Sequence, residues 1–209
     1  MPKDLMHYGQ YKNDLFNKLD FHFEPGKRLL DVGCGDGSDA LIFINEYKLD
    51  VDGIDIYEHA DLRKINELRF KRAGIYDLPF PDATFDYVFL HDILHHIDEE
   101  GQRHERHIAA LRELKRVCKK DGHIIIIEGN RYNPLFYPHM VKMLGHNHFA
   151  QGYFKKVIRE VFPSATFKFF EAHVYPSRFL TVWKWYEKVM ESVMPKQILS
   201  YNASIIRNE

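Results

Sequence analysis

Leu30-Asp31-Val32-Gly33-Cys34-Gly35-Asp36-Gly37 places three glycines at alternate positions directly after a short apolar run. Pro25-Gly26 makes a turn ahead of it, so residues 28–32 read as a buried strand, and residues 38–45 continue as a helix. A glycine turn between strand and helix is the context in which such a loop holds a ligand. Residues without a Cβ allow close approach of a ligand and positive φ. The start of the helix offers free N–H groups and the positive end of a dipole.

Farther along, residues 51–56 read as a second strand with Asp55 near its end, 22 positions beyond Gly33. A carboxylate there can accept both hydroxyls of a ribose, and Ile56 beside it can cover an adenine. A dinucleotide fingerprint would need glycine or alanine where Ser38 stands, and Gly37 comes one residue early. Asp31, two residues before the first glycine, is also foreign to that fingerprint and can meet the ammonium of an amino-acid ligand. S-adenosylmethionine fits both features better than NAD.

The rest alternates short apolar runs with helical patterns, which reads as α/β. Residues 70–75 give a weaker third strand and residues 85–90 a fourth. Ile108, Leu111, Leu114 and Val117 mark a helix over 99–120, which Asp121-Gly122 is expected to close. Residues 123–128 hold four consecutive isoleucines, the mark of a strand covered on both faces. Residues 131–148 show no period and read as a long connection. Then follow a helix over 149–162, a strand over 166–175, a helix over 179–194 and a closing strand over 201–207. No linker divides the chain, so residues 1–209 are expected to form one domain, with a helix within about residues 1–24 and an insertion over about 131–150 acting as a lid.

Four segments together resemble the class I S-adenosylmethionine-dependent methyltransferases of small molecules. Residues 30–37 resemble the family's first motif and Gly53-Ile54-Asp55-Ile56 its second. Residues 78–88, Leu-Pro-Phe-Pro-Asp-Ala-Thr-Phe-Asp-Tyr-Val, are similar to the run into its fourth strand. Residues 111–117 with Asp121-Gly122 resemble the helix and turn before its fifth. The resemblance covers roughly residues 25–130. It implies a Rossmann-like three-layer sandwich with a seven-stranded, mostly parallel sheet whose last strand is antiparallel. It implies contacts to the cofactor from Asp31, Gly33, Cys34, Gly35, Asp55, Ile56, Ile75, Tyr76 and His91. Many members carry an Asp against the adenine where this chain has Gly74, and the backbone at Ile75 and Tyr76, or Asp77, is left to serve there.

Ligands of open α/β sheets bind beyond the carboxyl ends of the strands, where this chain has His91, Asp92 and Glu128-Gly129-Asn130. Methyl transfer needs alignment of two reactants above all; where the acceptor must also lose a proton, His91, His95 and Glu128 are the candidate catalytic groups. A helix beginning near His91 would put His91 and His95 on one face. The pairs His91/His95, His104/His107 and His146/His148 lack a recognised metal-ligand spacing, so no metal is expected. The aromatics at 132–137 and the His146-Asn147-His148-Phe149 run belong to the expected lid, and residues 7–11 are expected to fold over the cofactor.

The 209 residues carry a net charge of −1, which offers no general attraction to nucleic acid. The Asn/Asp-Pro-Pro-aromatic motif of base methylation does not follow the fourth strand, where His91-Asp92-Ile93-Leu94 stands, and a small-molecule acceptor is expected instead. Residues 131–209 nevertheless hold 11 Lys and Arg against 5 Asp and Glu, and 16 of the 30 aromatics, which suits an aromatic or lipid-like acceptor. The apolar stripe Phe179, Val182, Trp183, Tyr186, Val189, Met190, Val193 is expected to pack on the sheet. Two cysteines, Cys34 and Cys118, and no apolar leader after Met1-Pro2-Lys3-Asp4 point to the cytoplasm. No run reaches the roughly 18 apolar residues of a membrane span. Oligomeric state is not legible. The rival readings are a non-turnover binder of the same cofactor, a nucleic-acid or lipid methyltransferase, and an NAD-dependent oxidoreductase.

Overall fold

The four isoleucines at 124–127 are completely buried, and their strand lies inside the sheet between two neighbours. A computed structural model describes the backbone of residues 5–99, 101–174 and 179–209, and the side chains from residue 10 onward within these ranges except 139 and 140. In chain order the elements are α1 (Leu5–Leu19), β1 (Arg28–Val32), α2 (Ser38–Asn45), β2 (Asp50–Asp55), β3 (Arg69–Arg72), β4 (Phe85–His91), α3 (His104–Val117), β5 (Cys118–Gly129), α4 (Gln151–Val161), β6 (Thr166–Phe170), α5 (Leu180–Val193) and β7 (Tyr201–Arg207).

The seven strands form one sheet in the order β3-β2-β1-β4-β5-β7-β6. β1 pairs in parallel with β2 and β4, β2 with β3, and β4 with β5, whereas β7 runs antiparallel to both β5 and β6. The chain travels outward from β1 to β3 and returns to β4 on the other side of β1. That reversal opens a crevice at the carboxyl ends of β1 and β4, the place where such sheets take ligands.

Successive side chains of a strand point to opposite faces, and the core divides accordingly. Ile124 and Ile126 join Leu30, Val88 and Leu90 under Leu111 and Leu114 of α3 and Phe154 and Ile158 of α4. Ile125 and Ile127 join Leu29, Val51 and Phe89 under Leu15 and Leu19 of α1 and Phe43 of α2. Two covered faces make the expected three layers, and each buried isoleucine contributes about 1.5–3 kcal/mol of transfer free energy.

Several boundaries differ from the sequence expectation. Asp121-Gly122 does not close α3: the helix ends at Val117, and both residues lie within β5. Asp121 takes φ 64°, and the register between β4 and β5 shifts between Phe85 and Tyr87, so the turn residues make an irregularity in the strand. β3 and β6 are shorter than expected, and Tyr175 lies outside the described residues. The connection after β5 contains a short π-helical segment, Tyr137–Met143. No helix joins His91 to His95. His91 ends β4, Asp92 turns the chain with φ 55°, and His95 sits in the 3-10 turn Leu94–His96.

α5 meets the body partly through charge. Glu187 is buried and accepts from Lys18 of α1 and from Lys184, each at 3.0 Å. Of the apolar stripe expected to pack, Met190 is buried, while Phe179, Val182 and Val193 stay exposed. No described helix is long and apolar enough to cross a membrane.

Candidate cofactor and acceptor site

The glycine turn sits over the crevice, tied to β2 by hydrogen bonds from the N–H groups of Gly33 and Cys34 to Ile54 O at 2.8 and 3.0 Å. Gly33 takes φ 76°, and a Cβ there would fall 2.2 Å from Ile93 Cδ1. Only glycine therefore lets the end of β4 close against the turn. Cys34 turns its side chain inward onto Gly53, leaving its backbone to shape the turn.

Asp31 lies beneath this turn, 2% exposed, and its Oδ2 has no hydrogen-bond partner. Burial, then the negative charge of Asp39, push its carboxyl well above the usual carboxylate range. A buried acid without a partner is costly, and a cation arriving from the crevice would remove that cost. The ammonium end of S-adenosylmethionine is such a group. Asp55 stands at the end of β2, where its Oδ2 and Oδ1 accept the N–H groups of Gly35 and Tyr57, each at 3.0 Å. Each oxygen keeps a further lone pair for a ribose hydroxyl. Ile56, the next residue, is 55% exposed; Tyr76 is 42% exposed with Arg106 over its ring at 5.4 Å, and Ile75 is half-buried. A Cβ on Gly74 would meet nothing within 4 Å. The residues present thus fit an adenosyl amino acid at both its charged and its sugar ends.

The other side of the crevice is built by the ends of β4 and β5 and by three residues that the sequence does not single out, Lys12, Asp39 and Tyr201. Lys12 of α1 donates to Asp39 Oδ2 at 2.6 Å, and His91 Nδ1 lies 3.0 Å from the same oxygen. Burial opposes ionisation of Asp39, yet Lys12 and His91 outweigh it and hold the carboxyl well below its usual range. His91 Nε2 lies 3.2 Å from the Tyr11 hydroxyl, which meets the Tyr201 hydroxyl at 2.5 Å, which in turn donates to Asp92 Oδ2 at 3.3 Å. Nothing in the sequence marks Lys12 except its place on the apolar face of α1 with Tyr11, Leu15 and Phe16. Tyr11 of the expected cofactor-covering stretch reaches this network, while the side chains of His7 and Tyr8 lie outside the described residues.

Glu128 is completely buried. Its Oε1 accepts the N–H groups of Ile93 and Leu94 at 3.0 and 2.6 Å, and its Oε2 meets His95 Nδ1 at 2.7 Å. Burial lowers the affinity of His95 for a proton, but Glu128 more than offsets this and leaves its pKa raised. His148, from the connection, covers His95 with ring centroids 4.2 Å apart. The connection leaves and returns at one point: Asn130 bridges to Phe149, and Arg131 N–H donates to Phe149 O at 3.0 Å.

The profile of the methyltransferase-domain family matches residues 30–126. An uncharacterized methyltransferase of Schizosaccharomyces pombe is 34% identical over 127 residues, which are 53% of this chain and 43% of that protein. The 27-O-demethylrifamycin SV methyltransferase of Amycolatopsis mediterranei is 31% identical over 111 residues, 48% of this chain and 38% of that protein. This chain thus matches about two-fifths of the length of these curated relatives. A crystal structure of a SAM-dependent methyltransferase from Archaeoglobus fulgidus superposes with a TM-score of 0.68 at 19% identity, covering 95% of this chain and 94% of that one.

Proposed function

We propose that this chain, whose residues 30–126 match the methyltransferase-domain family, is a class I S-adenosylmethionine-dependent enzyme that moves the methyl group of S-adenosylmethionine to a small-molecule acceptor. The buried, unpartnered Asp31 beneath the glycine turn is the observation that carries this reading. Its Oδ2 lacks a hydrogen-bond partner where the ammonium end of that cofactor would lie, while Asp55 receives the ribose and Ile56 and Tyr76 cover the adenine.

The sulfonium supplies an activated methyl carbon. The chain aligns the acceptor with it beyond the carboxyl ends of β4 and β5, and alignment accounts for most of the acceleration. Asp39, Lys12 and Tyr11 fix the His91 ring from both nitrogens, which makes His91 a wall of the site. Glu128 fixes His95 through Nδ1, which leaves its Nε2 edge without a hydrogen bond among the described residues. Proton removal, where the acceptor requires it, falls to that edge. Residues 131–150 form the lid, with Tyr132 and Leu135 exposed on it.

The Amycolatopsis relative acts on a hydroxyl-bearing small molecule by its name, and an oxygen acceptor of aromatic character suits the aromatic-rich segment after β5. The net charge of −1 gives no field for a nucleic acid. Incubation with methyl-labelled S-adenosylmethionine and fractionated cell extract tests the reading. Label in a small-molecule fraction supports it, whereas label only in nucleic acid, or none in any fraction, contradicts it.

A further inference from the structure

His148 is 4% exposed, yet neither ring nitrogen has a hydrogen-bond partner. A buried imidazole with both nitrogens unsatisfied costs free energy on the order of 1–3 kcal/mol per lost partner, so the site has a partner to supply. Burial, then the neighbouring His95, lower its pKa to about 4 and keep the ring neutral, the form that donates a lone pair.

The surroundings converge on one small volume. A Cβ on Gly129 would lie 2.8 Å from His148 Nδ1 and 3.5 Å from Asp92 Oδ1, so glycine lets the His148 ring close onto the strand end beside Asp92. Burial raises the Asp92 pKa, but the neighbouring His91 and His95 outweigh it and leave the carboxyl lowered. Gly129 N–H at 2.7 Å and the Tyr201 hydroxyl at 3.3 Å fix its carboxylate. His95 leaves Nε2 open because Nδ1 is engaged by Glu128 at 2.7 Å, the carboxylate–histidine arrangement that orients a metal-binding imidazole. One donor atom each from Asp92, His95 and His148 lie within 4.8 Å of one another.

We propose that Asp92, His95 and His148 bind a divalent first-row transition ion of the zinc type at the floor of the acceptor site. Two imidazoles and one carboxylate make a three-ligand set that leaves a position open. Donors on a tetrahedral zinc stand roughly 3.4 Å apart, so small side-chain rotations complete the closure. Sequence spacing could not show this site, since the ligands come from the residue just after β4, the 3-10 turn that follows and the far end of the connection. A second trio, His96, Glu99 and His146, lies nearby. There Glu99 already satisfies His96 at 3.0 Å and His146 at 3.3 Å, and the groups are partly exposed, so nothing in it calls for an ion. The proposal does not depend on methyl transfer. If both hold, the ion rather than the free Nε2 edge of His95 polarises the acceptor.

Titration of chelator-treated protein with Co2+, followed by visible absorption, tests the proposal without any turnover. One saturable equivalent, with bands of a low-coordinate nitrogen and oxygen set, is expected. His148→Ala and Asp92→Asn should abolish the bands, and Glu128→Gln should weaken binding about 10- to 100-fold. His146→Ala should leave it unchanged. Circular dichroism and S-adenosylhomocysteine binding check that each variant is folded. The proposal is overturned by wild-type protein that takes up no stoichiometric Co2+, or by bands that survive in folded His148→Ala and vanish in His146→Ala.

Discussion

The ammonium of Lys12 lies 2.6 Å from the Asp39 carboxylate, joining the first helix to α2 by a pair whose side chains are 5% and 11% exposed. Removing one partner of a buried pair leaves an uncompensated charge. Lys12→Met should therefore cost about 3–5 kcal/mol in urea unfolding. The depressed Asp39 pKa contributes stability that is full above the usual carboxylate value, about 4, and is lost as pH falls below it. In Lys12→Met that acid-side loss should largely disappear from a plot of Tm against pH.

Asp31 has the opposite sign. Its pKa is raised, so the folded protein holds a proton that the unfolded chain releases, and its contribution falls as pH rises from about 4 toward the folded value. Asp31→Asn removes that penalty, and the ligand-free Tm at neutral pH should be equal or higher. The same variant should bind S-adenosylhomocysteine about 10- to 100-fold more weakly, a charged hydrogen bond being worth about 1.5–3 kcal/mol. Calorimetry and thermal unfolding on one preparation check both; lowered stability with unchanged affinity would assign Asp31 to folding alone.

Asp55 holds the turn as well as the ribose, through Gly35 N–H and Tyr57 N–H. Asp55→Ala should cost about 1–2 kcal/mol of stability from the two lost hydrogen bonds. The larger effect is on affinity for the cofactor product, which should fall at least about 10-fold. An unchanged dissociation constant would remove Asp55 from the ribose contact.

Gly74 stands in open space without a positive φ, so nothing in the packing demands glycine there. Gly74→Asp should fold normally and tighten S-adenosylhomocysteine binding by about 5-fold, the worth of one added hydrogen bond to the adenine amino group. Binding unchanged or weaker would show that the adenine lies elsewhere.

The glycine turn and the isoleucine run carried the fold in the sequence because each is a local pattern: a strand, a turn that only small residues allow, and a strand apolar on both faces. β7 could be read to its residue bounds for the same reason. The boundaries that were misread, at Asp121-Gly122 and at His91–His95, turn on single residues in left-handed conformation, Asp121 and Asp92. Either residue can also sit in a helix or a regular strand, so composition did not decide. Lys12, Tyr201 and the His148 position relative to Asp92 were not legible, because contacts between residues 11–12, 39, 91–92, 148 and 201 arise only when the sheet brings distant segments together.

Calorimetric titration of the wild-type protein with S-adenosylhomocysteine, beside a matched titration with NADH, tests the cofactor pocket most directly. Saturable heat at one site with the first ligand and none with the second is the predicted result. No binding of S-adenosylhomocysteine, or preference for NADH, would contradict it.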